Sequence, residues 1–182
     1  MKKILLTFVL SISLLISGCG EKMNNTPTKQ VEIFFMNYQT LNQDVIEDLD
    51  NVLNTDNSMT ADQKKKYKDI MKNHYKNLSY DIKDERIDGE VAIVTVEIEV
   101  YDYSKILSSI DVYVTENEKE FLDAENNYDQ EKFMDYRLSE LEKAKEKVKY
   151  TLDLTLTKVD DKWQMDQLSS LDEDKVLGIY EY

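Results

Sequence analysis

With 182 residues and a net charge of −14, the chain is long enough for one domain with a proper core. It is too acidic to attract nucleic acid phosphates, anionic lipid headgroups or anionic wall polymers. One histidine and one cysteine exclude the His and Cys clusters of zinc sites, and one proline with four glycines excludes long disordered regions and glycine-rich phosphate loops.

In chain order, Met1-Lys2-Lys3 is a basic start, residues 4–16 are an almost unbroken apolar run, and Ile16-Ser17-Gly18-Cys19 closes it with small residues and the single cysteine. That is the layout of a secretory signal peptide. The run is shorter than the roughly 20 apolar residues a membrane-spanning helix needs. The residues after Cys19 are polar at once and offer no stop-transfer segment. Residues 20–28 contain Pro27 and read as a short spacer.

From 27 to 54, Val31, Phe34, Phe35, Tyr38, Leu41, Val45, Leu49 and Val52 keep the helical period, which predicts one long helix with an acidic outer face. Thr26 or Thr28 caps it, with Pro27 in the first turn. Thr60 and Gln63 have the form of a capping box for a second helix to about residue 77, burying Tyr67, Ile70, Met71 and His74. Its Lys64-Lys65-Lys66 run lies at the end where the macrodipole disfavours cations, although a solvated face explains it. Residues 78–87 alternate as a strand, Asp88-Gly89 signals a hairpin, and 90–103 is a long β-branched strand. On that strand Ala92, Val94, Val96, Ile98 and Val100 share one face, and Ile93, Thr95, Glu97, Glu99, Tyr101 and Tyr103 the other. Residues 104–147 leave the strand pattern and read as two helices, broken near Asn126-Asn127, with 111–115 able to be extended instead. Phe133, Met134, Leu138, Leu141, Ala144 and Val148 form the apolar stripe of the second. A third strand at 149–159, a turn at 160–162, a fourth strand at 163–168 and a short helix at 172–177 complete the chain, with no internal repeat.

Two resemblances follow from these residues. Ile16-Ser17-Gly18-Cys19 resembles the lipobox of bacterial lipoproteins, which implies a diacylglyceryl group on Cys19 and cleavage just before it. Two acyl chains anchor stably where one does not, and with Cys19 lipidated no thiol remains for a disulfide or metal. Helices followed by an antiparallel meander, ending in Thr155-Leu156-Thr157-Lys158-Val159-Asp160-Asp161-Lys162-Trp163, resemble the nuclear-transport-factor-2-like (cystatin-like) domains of small Gram-positive lipoproteins. The resemblance spans about 28–168 and implies an α+β cone, helices packed on a curved antiparallel sheet; the insertion at about 104–147 departs from it. The expected organisation is a signal peptide at 1–18, anchor and spacer at 19–27, and one α+β domain at 28–182.

Chemistry is sparse. A hydrolytic triad would have His74 as its one possible base, there is no Gly-x-Ser-x-Gly motif, and a lone histidine on an apolar helix face is most often a packed core residue. Glu97 and Glu99 share a strand face and could bind a cation or act as an acid/base pair, which a solvent-facing sheet explains equally well. Residues 81–90 lack the alternating acids of an EF-hand loop. Tyr101 and Tyr103 could flank a ligand in the cavity that the resemblance places on the concave side of the sheet, and strand tyrosines are also ordinary packing residues.

The expectation is therefore a lipid-anchored protein on the extracytoplasmic face of the cell membrane, binding an unknown protein or small ligand without catalysis. It needs no cofactor or metal, and Glu97, Glu99, Tyr101, Tyr103 and His74 are the candidate pocket. The alternatives are an envelope-complex subunit docking through 133–148 and, last, an enzyme using His74 with carboxylates.

Overall fold

The computed structural model describes residues 25–181. Cys19, the signal peptide and the spacer up to residue 24 lie outside the described residues.

The long N-terminal helix is two helices. In α1 (Pro27–Gln39) the Thr26 side chain accepts from the Lys29 N–H and Pro27 fills the first turn, while Val31, Phe34, Phe35 and Tyr38 are buried. The helix stops at Thr40; Leu41 turns the chain with φ 53°, and Asn42 caps α2 (Gln43–Thr55) by accepting from the Asp44 N–H at 2.8 Å. Val45, Leu49 and Leu53 of α2 are buried, with Val52 only partly so. The break is made by one left-handed leucine and one asparagine cap, without proline or glycine, so the apolar period runs straight through it. The α3 helix (Ala61–Asn77) has both halves of the capping box between Thr60 and Gln63, and it buries Ile70, Met71, His74 and Tyr75 with Tyr67 half-buried.

Four strands, β1 (Ser79–Asp88), β2 (Val91–Tyr101), β3 (Lys147–Val159) and β4 (Lys162–Met165), form one antiparallel sheet in sequential order. The β1–β2 turn falls one residue later than expected: Asp88 pairs with Val91, leaving Gly89-Glu90 as the loop, with Gly89 at φ 61°. Asp160 and Asp161, both at positive φ, make the β3–β4 turn. The fourth strand is shorter than expected, ending at Met165. Ala92, Val94, Val96, Ile98 and Val100 of β2, with Tyr150, Leu152, Leu154 and Leu156 of β3, are buried in one core with α1 and α3. Burying a Val or Ile side chain is worth about 2 kcal/mol. A one-residue slip of β2 would turn all five of its core residues outward, at a cost on the order of 10 kcal/mol. The edge strand β1 carries Asp81, Lys83, Asp84, Glu85 and Arg86 and a register shift between Ile82 and Asp84, two features that discourage edge-to-edge pairing.

Between β2 and β3 lie α4 (Tyr103–Glu116), a 3-10 turn (Glu118–Phe121) and α5 (Gln130–Glu142), the two inserted helices expected. Residues 111–115 are helical, not extended. Tyr103 opens α4 instead of ending the sheet, because Asp102 caps the helix by accepting from the Lys105 N–H at 3.0 Å. The α5 helix ends at Glu142, and Val148 belongs to β3. Met134, Leu138 and Leu141 of the expected stripe are buried and α5 lies against α3, while Phe133, Ala144 and Val148 stay partly exposed. Finally α6 (Ser170–Val176) is capped by Ser169 and returns to the core through Val176. The architecture is mixed α+β, with helices preceding a curved antiparallel sheet. No described helix is long and apolar enough to cross a membrane.

Candidate functional site

The five candidate pocket residues separate into two groups. His74, Tyr101 and Tyr103 meet in an aromatic cluster where α3, the end of β2 and the start of α4 converge. The His74 and Tyr103 rings stack with centroids 5.0 Å apart, and Tyr101 lies 6.2 Å from each. His74 has no exposed surface. Its Nε2 is 2.8 Å from the Val176 carbonyl oxygen, which only accepts, so Nε2 carries the proton. Nδ1 is buried without a partner. Burial lowers the His74 pKa from 6.5 to about 4, against the raising effect of the Val176 carbonyl. Burial likewise pushes the Tyr103 hydroxyl well above its ordinary range.

The C-terminal segment packs over this cluster, in which His74 and Tyr103 are buried and Tyr101 is partly exposed. Gly178 donates no side chain, and none would fit: with φ 70°, a Cβ there would lie 2.1 Å from the Tyr101 carbonyl oxygen and 3.3 Å from His74 Cε1. The Ser104 N–H donates to the Gly178 carbonyl at 2.8 Å, closing α6 onto α4. A neutral, enclosed imidazole bonded to a backbone carbonyl is a core residue and offers no base to a substrate.

Glu97 and Glu99 are elsewhere, in cross-strand ion pairs. Glu97 lies 2.9 Å from Lys149 and 3.6 Å from Lys83, and Glu99 lies 3.9 Å from Lys147. The Lys149 hydrogen bond is the main reason the Glu97 carboxyl titrates below its ordinary range. Such exposed pairs stabilise by about 0–1 kcal/mol each. Neither glutamate is joined to His74, and among the described residues no group of three or more His, Cys, Asp or Glu is placed to hold a metal ion.

Among the described residues, a concavity lies in the insertion. Between α4, α5 and the loop into β3 is an open cleft of about 400 Å³, within the range of small-molecule sites. Ile106, Ile110, Tyr136 and Ala144 supply its apolar surface. Its charged rim is organised in pairs: Lys105 reaches Glu146 at 2.5 Å, and Lys143 reaches Glu140 at 2.6 Å. Lys145 also lines the rim. Tyr136 is held by stacking on Tyr113, with centroids 4.9 Å apart, and Asp102 is fixed by capping α4. The Ser109 hydroxyl donates to the Lys105 carbonyl at 2.9 Å. An apolar floor under alternating charges can hold an amphipathic body and orient its polar ends.

Sequence reasoning located the insertion but not this cleft. Its walls come from 102–110 and 136–146, and only the packing of α4 on α5 makes them face each other. The one available signal was lysine and glutamate at the two mouths of the insertion, Lys105 and Glu146.

No family model matches the chain, and no curated protein matches it in sequence. Among solved structures, the chain is similar to YcdA of Bacillus subtilis, a protein inferred to be a lipoprotein, with 18% sequence identity and a TM-score of 0.44. The similarity covers 84% of this chain and 47% of YcdA, so the chain spans about half the length of that protein.

Proposed function

We propose that the protein is an extracytoplasmic, membrane-anchored lipoprotein whose α4–α5 cleft binds a small ligand or a short protein segment without catalysing a reaction. The observation that carries the binding reading is the cleft itself, about 400 Å³ with an apolar floor and paired charges at its rim. The enclosure of His74 supports a non-catalytic role, since the one histidine in the chain cannot reach a substrate. The anchor reading is supported by Ile16-Ser17-Gly18-Cys19 and by the two-chain rule for stable attachment. Three helices ahead of an antiparallel meander support placing the domain in the nuclear-transport-factor-2-like class.

Native mass spectrometry of the protein recovered from its membranes tests the reading. The expected result is a discrete extra mass, retained by the wild type and lost from a Ser109→Trp variant whose side chain fills the cleft. A bare mass, or an extra mass indifferent to Ser109→Trp, would remove the cleft as the binding site. Cys19→Ser is expected to move the protein from the membrane fraction to the medium; retention in the membrane would refute the anchor.

A further inference from the structure

We infer that the membrane anchor and the α4–α5 cleft lie at opposite ends of the sheet, so that the cleft opens to the aqueous side and takes its ligand from solution rather than from the bilayer. The inference rests on the Cys19 anchor proposed above and adds the direction from which a ligand arrives.

Its basis is the place where the chain enters the domain. The Asn25 side chain brackets Trp163 of β4: Oδ1 accepts from the Trp163 N–H at 2.6 Å, and Nδ2 donates to the Trp163 carbonyl at 3.3 Å. Trp163 pairs with Lys158, whose N–H donates to the Glu90 carbonyl at 2.7 Å. Three residues after Asn25, the Thr28 N–H and hydroxyl both donate to Glu85 Oε2, at 2.9 and 2.7 Å. The entry segment is therefore fastened at the end of the sheet where β2 begins.

From Val91 the β2 strand runs 11 residues to Tyr101, about 30 Å at the usual rise of about 3.3 Å per residue. At its far end Asp102 lines the cleft, and its N–H donates to Glu146, another cleft residue, at 3.0 Å. Cys19 and Asn25 are six residues apart, and that length of chain spans at most about 20 Å. The anchor thus holds the Trp163 end of the sheet near the bilayer, with the cleft roughly a β2 length further out. A body of charge −14 has no electrostatic reason to lie flat on an anionic bilayer instead.

Because Cys19 is the single cysteine and carries the lipid, any added cysteine is the only free thiol. The test uses the full lipidated protein in phosphatidylcholine–phosphatidylglycerol vesicles containing nitroxide-headgroup lipid. A fluorophore is attached at Asp88→Cys, at the entry end of the sheet, or at Ser109→Cys, in the cleft. Both positions are exposed; Glu90→Cys replaces the first if it fails to fold. Severalfold stronger quenching at 88 than at 109 is the expected result. Equal quenching, or stronger quenching at 109, overturns the inference. Flotation of the same samples separates the two readings: protein that does not float with the vesicles lacks the anchor, and the orientation falls with it.

Discussion

At the scale of single residues, the most consequential group is His74, which is held neutral by burial rather than by a charged partner. Its pKa is lowered from 6.5 to about 4, so the sign is opposite to that of a histidine that gains a carboxylate. The unfolded chain takes up the proton first. Stability is therefore intact above about pH 6.5, falls as pH drops toward 4, and stops falling there because both states are then protonated. Two and a half pH units correspond to about 3 kcal/mol. Urea unfolding of the wild type and of His74→Leu at pH 7 and pH 4 checks this. The wild-type advantage is expected to shrink by about that amount at the lower pH, and parallel losses would assign the acid sensitivity to the carboxylates instead. Gly178 and Gly89 form a second residue-scale contrast, because both sit at positive φ but only one is crowded. A Cβ at Gly89 meets nothing within 4 Å, whereas at Gly178 it would lie 2.1 Å from backbone. Gly89→Ala should cost only the left-handed penalty of about 1–2 kcal/mol. Gly178→Ala should cost several times more, since the Tyr101 carbonyl belongs to the end of β2 and has little room to yield. Equal costs for the two would mean that the C-terminal segment detaches freely from α4.

At the scale of elements, Gln63 does two jobs. Its Oε1 accepts from the Thr60 N–H at 3.0 Å to complete the cap of α3, and its Nε2 donates to Asp135 Oδ1 at 2.7 Å and to the Glu131 carbonyl at 3.2 Å, both on α5. The amide is buried, so deleting it leaves those acceptors short of a donor. Thr60→Ala should cost about 1 kcal/mol, as for an ordinary cap. Gln63→Ala should cost about 2–3 kcal/mol, and its effect should be less than additive with Asp135→Ala. Strict additivity would mean that the α3–α5 bridge does not form in solution. The capping box was legible in the sequence, but its second role was not, because a residue spacing of 72 carries no periodic signal. The same distinction runs through the fold. The aliphatic alternation of Ala92 to Val100 predicts the buried face of β2, while the Asp88-Gly89 signal places the turn, and with it the β1–β2 register, one residue early. Alternation alone also carried Tyr103 into the sheet, where the Asp102 cap had already started a helix. The apolar period likewise concealed the α1–α2 break, since Leu41 keeps the stripe in phase while its backbone leaves the helix. Of the candidate pocket, sequence reasoning brought His74, Tyr101 and Tyr103 together but as a cavity wall. The structure packs them as an aromatic cluster with His74 and Tyr103 buried, because Gly178, about 100 residues beyond His74, closes against Tyr101 and His74.

At the scale of the whole molecule, charge is the dominant long-range feature and its two effects have opposite salt dependence. The ion pairs, such as Lys29–Glu32, Lys65–Asp69 and Lys105–Glu146, are largely exposed, and each is worth about 0–1 kcal/mol that salt would weaken. Against them stands an excess of 14 negative charges. A domain of this size has a radius of gyration of about 15 Å. The screening length is about 30 Å at 0.01 M salt and about 8 Å at 0.15 M. At the lower concentration every carboxylate therefore repels carboxylates across the whole body; at the higher one it senses only its neighbours. Close pairs at 2.5–3.0 Å lie inside both lengths and lose comparatively little. Repulsion is thus removed faster than attraction, and the urea midpoint is expected to rise between 0.01 and 0.15 M sodium chloride at pH 7. A midpoint that falls over that range would show that the surface pairs, and not the net charge, set the electrostatic stability of the domain.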